Sequence, residues 1–159
     1  ISPELIKAYN VVGPVARASG VDFDMRRDAP LPPYDKLEVK VITHPDGDAW
    51  ARTFVRAEET RVSLNLCESI LRDMPKGDVS VRAPRRVPEG EVIIRSEAPR
   101  GELFYYLRSD GSDKPARLKV RTPTLAALSL LPVQLSEINV ADIPVVLAGV
   151  DLCIACADR

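Results

Sequence analysis

Apolar and polar positions along this chain fall into three rhythms. From Ala49 to Met74 no Pro or Gly intervenes, Val62, Leu66 and Ile70 recur every four residues, and Leu64, Cys67, Leu71 and Met74 run beside them. That spacing predicts one long amphipathic helix, about 39 Å at 1.5 Å per residue. Asp48 is its expected N-cap, Pro75-Lys76-Gly77 its stop, and Glu68 and Arg72 an i,i+4 pair in the favourable order. Cys67 falls on the apolar side and reads as a small core residue.

The second rhythm is alternation. Leu37-Glu38-Val39-Lys40-Val41 predicts a short half-exposed strand. Leu103, Tyr105 and Leu107 share one face, Leu118 and Val120 alternate with Arg117, Lys119 and Arg121, and Ser109–Asp113 supplies a turn. These read as an antiparallel hairpin, with a further strand from Glu91 to Ser96. The third rhythm is the unbroken apolar run. Pro123-Thr124 leads into a short helix over Leu125–Leu131, and Ile143–Val150 reads as buried core, too short to span a membrane. A last helix begins near Asn139 or Asp142 and runs towards the terminal cysteines.

The remaining segments are punctuation. Ser2-Pro3-Glu4 opens a short helix that Gly13-Pro14 interrupts. Residues 13–27 mix arginines and aspartates and read as a surface loop with local ion pairs. Residues 30–35 must be extended or turned, and residues 77–90 read as a mobile connection. The fold class is therefore α+β, mainly helical, with one long amphipathic helix and a small antiparallel sheet, over a single domain 1–159.

Composition narrows the function. With 159 residues, 45% hydrophobic and 28% charged, the chain is an ordinary globular protein in size and content. A net charge of -1 argues against a nucleic-acid partner. Three cysteines imply no disulfide framework and fit a reducing compartment. No signal peptide or spanning helix is visible, and a start at Ile1 suggests a fragment or a processed product.

The chemistry is concentrated in Asp151-Leu152-Cys153-Ile154-Ala155-Cys156-Ala157-Asp158-Arg159. On a helix, thiols three residues apart share a face and can meet one metal. By spacing alone the pair is a structural feature, half of a metal site, or a redox dithiol. His44 is the only histidine and lies far away in sequence.

An ordered set of motifs settles where to look. Gly13-Pro14…Arg17-Ala18-Ser19-Gly20, Asp24-Met25-Arg26-Arg27, Tyr34-Asp35, Gly47-Asp48 and Glu58-Glu59…Ser63-Leu64 are followed by Glu97-Ala98-Pro99-Arg100-Gly101-Glu102, Ser109-Asp110-Gly111-Ser112…Pro115 and Ala141-Asp142. Together they resemble the C-terminal part of the large subunit of energy-converting, membrane-associated nickel–iron hydrogenases. The same framework occurs in the quinone-site large subunit of respiratory complex I. The resemblance covers essentially the whole chain. Complex I subunits of this type lack the two cysteines, whereas hydrogenases carry Asp-Pro-Cys-x-x-Cys-x-x-His or Arg; here Leu152 stands where Pro is usual.

The resemblance implies a nickel–iron centre with cyanide and carbon monoxide ligands in the whole enzyme. Cys153 would be a terminal nickel ligand and Cys156 a thiolate bridging nickel and iron. Arg100 would sit over the open side of the metals, held by Asp151, and Pro123 and Thr124 match the segment that hydrogen-bonds a cyanide on the iron. Arg159 replaces a histidine that binds an extra cation, so no such cation is expected. An ending at Arg159 resembles a large subunit matured by cleavage, or a chain designed to imitate one.

A second Cys-x-x-Cys and an acidic proton-transfer residue would lie upstream, in a missing N-terminal part. The implied partners are that part, an iron–sulfur small subunit and membrane-arm subunits, with the complex at the cytoplasmic inner face of the membrane. The chain alone is expected to be metal-free at this site, inactive, and prone to self-association through uncovered apolar surface. The rival readings are a nickel-free complex I-like reductase that kept its cysteines by descent, and a non-catalytic assembly or scaffold module.

Overall fold

A computed structural model describes residues 1–158. Ser2 caps helix α1 (Pro3–Ala8), its hydroxyl accepting from the Leu5 amide at 3.4 Å. Two four-residue helices follow, α2 (Pro14–Arg17) and α3 (Met25–Asp28). The long helix α4 runs from Ala49 to Arg72, with Asp48 accepting from the Ala51 amide at 2.7 Å. An exposed connection leads to strands β1 (Gly90–Ala98), β2 (Gly101–Ser109) and β3 (Pro115–Arg121), an antiparallel meander in the order β1-β2-β3. Helix α5 (Pro123–Leu135) carries Pro132 internally, α6 (Ile143–Val150) follows a 3₁₀ turn, and α7 (Ile154–Ala157) is a single turn. The architecture is α+β and mainly helical, with the one small sheet.

Two apolar clusters form the core. Val55, Val62 and Leu66 of α4 pack with Ala18, Val39 and Ile42, while Ile6, Val11, Val15 and Ala16 pack around Leu130 of α5. Only one of the two apolar rows of α4 is buried. Val62 and Leu66 are each 8% exposed, whereas Leu64, Leu71 and Met74 are open to solvent. At 100° per residue the second row lies more than a quarter-turn away from the first. Cys67 goes with it and is exposed, contrary to its reading as a core residue.

Three further sequence expectations change. Residues 37–41 are extended but pair with no strand; Val39 is buried directly against α4. Ile143–Val150 is helical but buries only Gly149 and Val150, so this apolar run shows much of its surface.

Residues 13–27 are not a surface loop at all. Arg17 is 1% exposed and Asp24 fully buried. The Arg17 guanidinium donates to Glu59 of α4 with Nε and Nη2, at 2.5 and 3.1 Å, and to Glu97 of β1 with Nη1 at 2.9 Å. Asp24 lies 3.4 Å from Arg17 and 2.7 Å from Arg26. A charge patterned like a solvated one is buried because three separate segments each bring a compensating carboxylate.

Removing one partner of a buried ionic cluster strands the others, at about 3–5 kcal/mol. Arg17→Met should lower stability by that order in urea unfolding, while Arg61→Ala, which breaks an exposed pair with Glu58, should leave the midpoint unchanged. Equal effects would show that the buried cluster is not structural.

Burial works against the Asp24 carboxylate, but hydrogen bonds from Arg26 and the Arg17 charge outweigh it and hold its pKa below the ordinary aspartate range. A depressed acid pKa gives stability that is full above the unfolded value and lost as pH falls through the folded one. The acid limb of the stability profile should therefore flatten in Asp24→Asn, as followed by circular dichroism; an unchanged limb would assign it to other carboxylates.

Candidate functional site

The cysteine pair is delivered by the end of α6. Asp151 closes that helix in the left-handed conformation, φ 55° and ψ 61°, and turns the chain out of the helical path. Arg56 of α4 donates to the carbonyls of Gly149 at 2.7 Å and Val150 at 3.2 Å, two acceptors a helix end leaves open. Cys153 then caps the single turn α7, and the Cys156 amide donates back to the Cys153 carbonyl at 3.0 Å. The Thr122 hydroxyl donates to the Cys156 carbonyl at 2.6 Å, pinning α7 against the start of α5.

Arg100 arrives from the turn between β1 and β2. Gly13 and Gly101 cross there at backbone distance: a Cβ on Gly101 would lie 2.7 Å from the Gly13 amide nitrogen, and one on Gly13 would overlap the Arg100 carbonyl. Both glycines also hold positive φ, 76° and 127°. The Arg100 side chain donates twice to Asp151, from Nε to its carbonyl at 2.8 Å and from Nη2 to Oδ1 at 3.0 Å. The second Asp151 oxygen lies 3.9 Å from Arg56.

The two thiols sense one another and their neighbours. Interaction with the neighbouring Cys156 thiol pushes the Cys153 pKa down, with the Arg100 charge assisting; the same interaction pushes Cys156 up. Thr124, 2% exposed, lies against Cys156. Its hydroxyl is buried and has no aligned hydrogen-bond partner among the described residues.

The residues singled out from the sequence are thus placed as follows. Cys153, Cys156, Arg100, Asp151 and Thr124 come together, and the buried Pro123 opens α5 beside Thr124. His44 contacts Trp50 and Phe54 instead. Arg159 lies outside the described residues. Sequence reading missed Arg56, Thr122 and the Gly13–Gly101 crossing. The only hint of Arg56 was a pair of arginines, at 52 and 56, with no acid four residues downstream of either.

Soft thiolates suit nickel and iron, and a buried hydroxyl without a partner next to them can donate to a small metal-bound ligand. The donors therefore fit one half of a thiolate-held metal centre. Among the described residues no group of three or more His, Cys, Asp or Glu side chains could hold a metal ion, so a metal held by this pair would need further ligands.

Comparison with known proteins places this α+β chain among complex I-like oxidoreductase subunits. It matches the family of the respiratory-chain NADH dehydrogenase 49 kDa subunit over residues 1–87 and 80–159, and it belongs to that family. It is 41% identical over 151 residues to the carbon monoxide-induced hydrogenase of Rhodospirillum rubrum, covering 95% of this chain and 42% of the relative. It is 40% identical over 158 residues to an NADH-quinone oxidoreductase subunit of Dehalococcoides mccartyi, covering 98% and 43%. Among solved structures it resembles a chain of the membrane-bound sulfane sulfur reductase, an archaeal respiratory membrane complex, with a TM-score of 0.91 and 32% identity over 100% of this chain and 45% of that one. The chain spans less than half the length of these relatives.

A lower thiol pKa means more thiolate, the reactive form, at neutral pH. Iodoacetamide should label Cys153 before Cys156, as read by peptide mass spectrometry, and Arg100→Gln should slow both. Labelling of Cys156 first would show that the two thiols do not interact as described.

Proposed function

We propose that this chain is part of the catalytic large subunit of an energy-converting nickel–iron hydrogenase and supplies half of the cysteine ligands. The observation that carries the reading is the thiol pair beside the Arg100–Asp151 clamp and the partnerless Thr124 hydroxyl. The 41% identity to a protein named as a hydrogenase supports it. When bound, a nickel–iron centre with its cyanide and carbon monoxide ligands would supply the redox chemistry that interconverts protons and hydrogen. Cys153 and Cys156 would hold it as thiolates. Arg100, held by Asp151, would orient what lies beside the thiols. Asp151 fixes that guanidinium by two bonds, and Thr124 offers the one uncommitted hydroxyl.

In this reading the remaining part of the large subunit supplies the other thiolates and covers the open apolar row of α4 and the exposed side of α6. An iron–sulfur small subunit passes electrons, and membrane-arm subunits couple the reaction to ion movement. The complex sits at the cytoplasmic inner face of the membrane. No helix of the described residues is long and apolar enough to cross a membrane. The 40% identity to an NADH-quinone oxidoreductase subunit favours a second reading, a nickel-free complex I-like oxidoreductase with inherited cysteines.

Elemental analysis of the full-length subunit, purified within its native complex, separates the two. Stoichiometric nickel and iron are expected, with nickel lost in Cys153→Ser and in Cys156→Ser although the complex still assembles. A wild-type complex without nickel would support the second reading. The isolated 159-residue chain should show no hydrogen-dependent dye reduction.

A further inference from the structure

Arg52 of α4 is the second deeply buried arginine, at 4% exposure, and its surroundings differ from those of Arg17. No carboxylate lies within salt-bridge distance of it among the described residues. Its Nη1 donates to the Gln134 carbonyl oxygen at 3.2 Å. Its Nε and the Gln134 amide nitrogen are both buried and have no partner. The guanidinium lies against α6 at Gly149, where a Cβ would stand 2.9 Å from Nε and 3.3 Å from Nη2. The glycine makes room for a charge that no carboxylate among the described residues bonds directly.

The charged groups around Arg52 do not resolve this. Asp48, a turn earlier, offsets part of the Arg52 charge, but it lies beyond salt-bridge distance and accepts from the Ala51 amide. Arg56, a turn later, is a like charge and lowers the Arg52 pKa further, after burial itself. The carbonyls at the end of α6, whose partial negative charge could have helped, are taken by Arg56. Arg52 and Asp48 line a cavity of about 400 Å³ whose other walls include Leu5, Leu130, Val133 and Val146.

A buried cation with free donors requires an anion. A planar guanidinium matches a carboxylate best, and a single cation that Asp48 only partly offsets, set against aliphatic walls, suits a monoanion with an apolar body. We propose that Arg52 and Gln134 form the head of a site for an aliphatic carboxylate. The carboxylate comes either from a Glu or Asp side chain of a polypeptide segment outside residues 1–158, or from a free short-chain acid.

The test is a titration of the 159-residue chain with butyrate, followed by the arginine Nε–H signals in nitrogen–proton NMR, with chloride at equal ionic strength as control. A saturable shift of the Arg52 signal and of the Leu130 and Val146 methyls is expected, with binding at least about tenfold weaker in Arg52→Gln. The wild-type titration keeps the test decisive should that variant not fold. Repeating it on the full-length protein distinguishes the sources. Loss of butyrate binding there means a side chain already fills the site, and retained binding means a free acid does. No saturable Arg52 shift in the 159-residue chain, or equal binding by a folded Arg52→Gln, overturns the proposal.

Discussion

One guanidinium holds this structure in register. Arg17 is bonded to Glu59 on the long helix and Glu97 on the first strand, and it faces Asp24 at the start of α3. Segments separated by as many as 80 residues meet at a single charge. Such a cluster is weak evidence of stability compared with apolar packing, but it is unforgiving of displacement. Burial raises the Glu97 pKa, and the Arg17 charge opposes that rise. The carboxylate therefore depends on its partner for its ionised state as well as its position.

The functional geometry hangs from that point. With β1 fixed to α2 through Glu97, the turn after Ala98 has one place to go, and the Gly13–Gly101 crossing sets its depth. With α4 fixed through Glu59, Arg56 is presented to the end of α6. The arm carrying Arg100 and the arm carrying Asp151 meet because both start from the same ionic cluster. Neither side chain belongs to a core element, and their separation in sequence is 51 residues.

Local structure was legible where local physics decides it. Asp48 and Ser2 cap their helices as their side-chain chemistry requires. The alternation around Tyr105 and Leu118 became paired strands, with Leu107 opposite Leu118. Periodicity failed where burial was at issue. It could not tell which of two apolar rows on α4 faces inward, because both satisfy helical spacing, and so it misplaced Cys67. It failed again at Arg17, since an arginine among aspartates looks the same in water and in a cluster until the distant Glu59 and Glu97 are known. The convergence of Arg100, Thr124 and Asp151 on the cysteines came from motif resemblance; nothing in spacing or composition requires it.

The crossing of Gly13 and Gly101 has a consequence for how such a chain can diverge. At most tight contacts a larger residue on one side can be accommodated by a smaller one opposite. Here the atoms in the way are the Arg100 carbonyl on one side and the Gly13 amide on the other. Neither can be trimmed by any substitution. The two positions have no compensating partners, so drift at either is closed off unless strand and helix separate together, carrying Arg100 away from Asp151. A site whose own side chains could in principle be exchanged is thus held in place by two residues that have none.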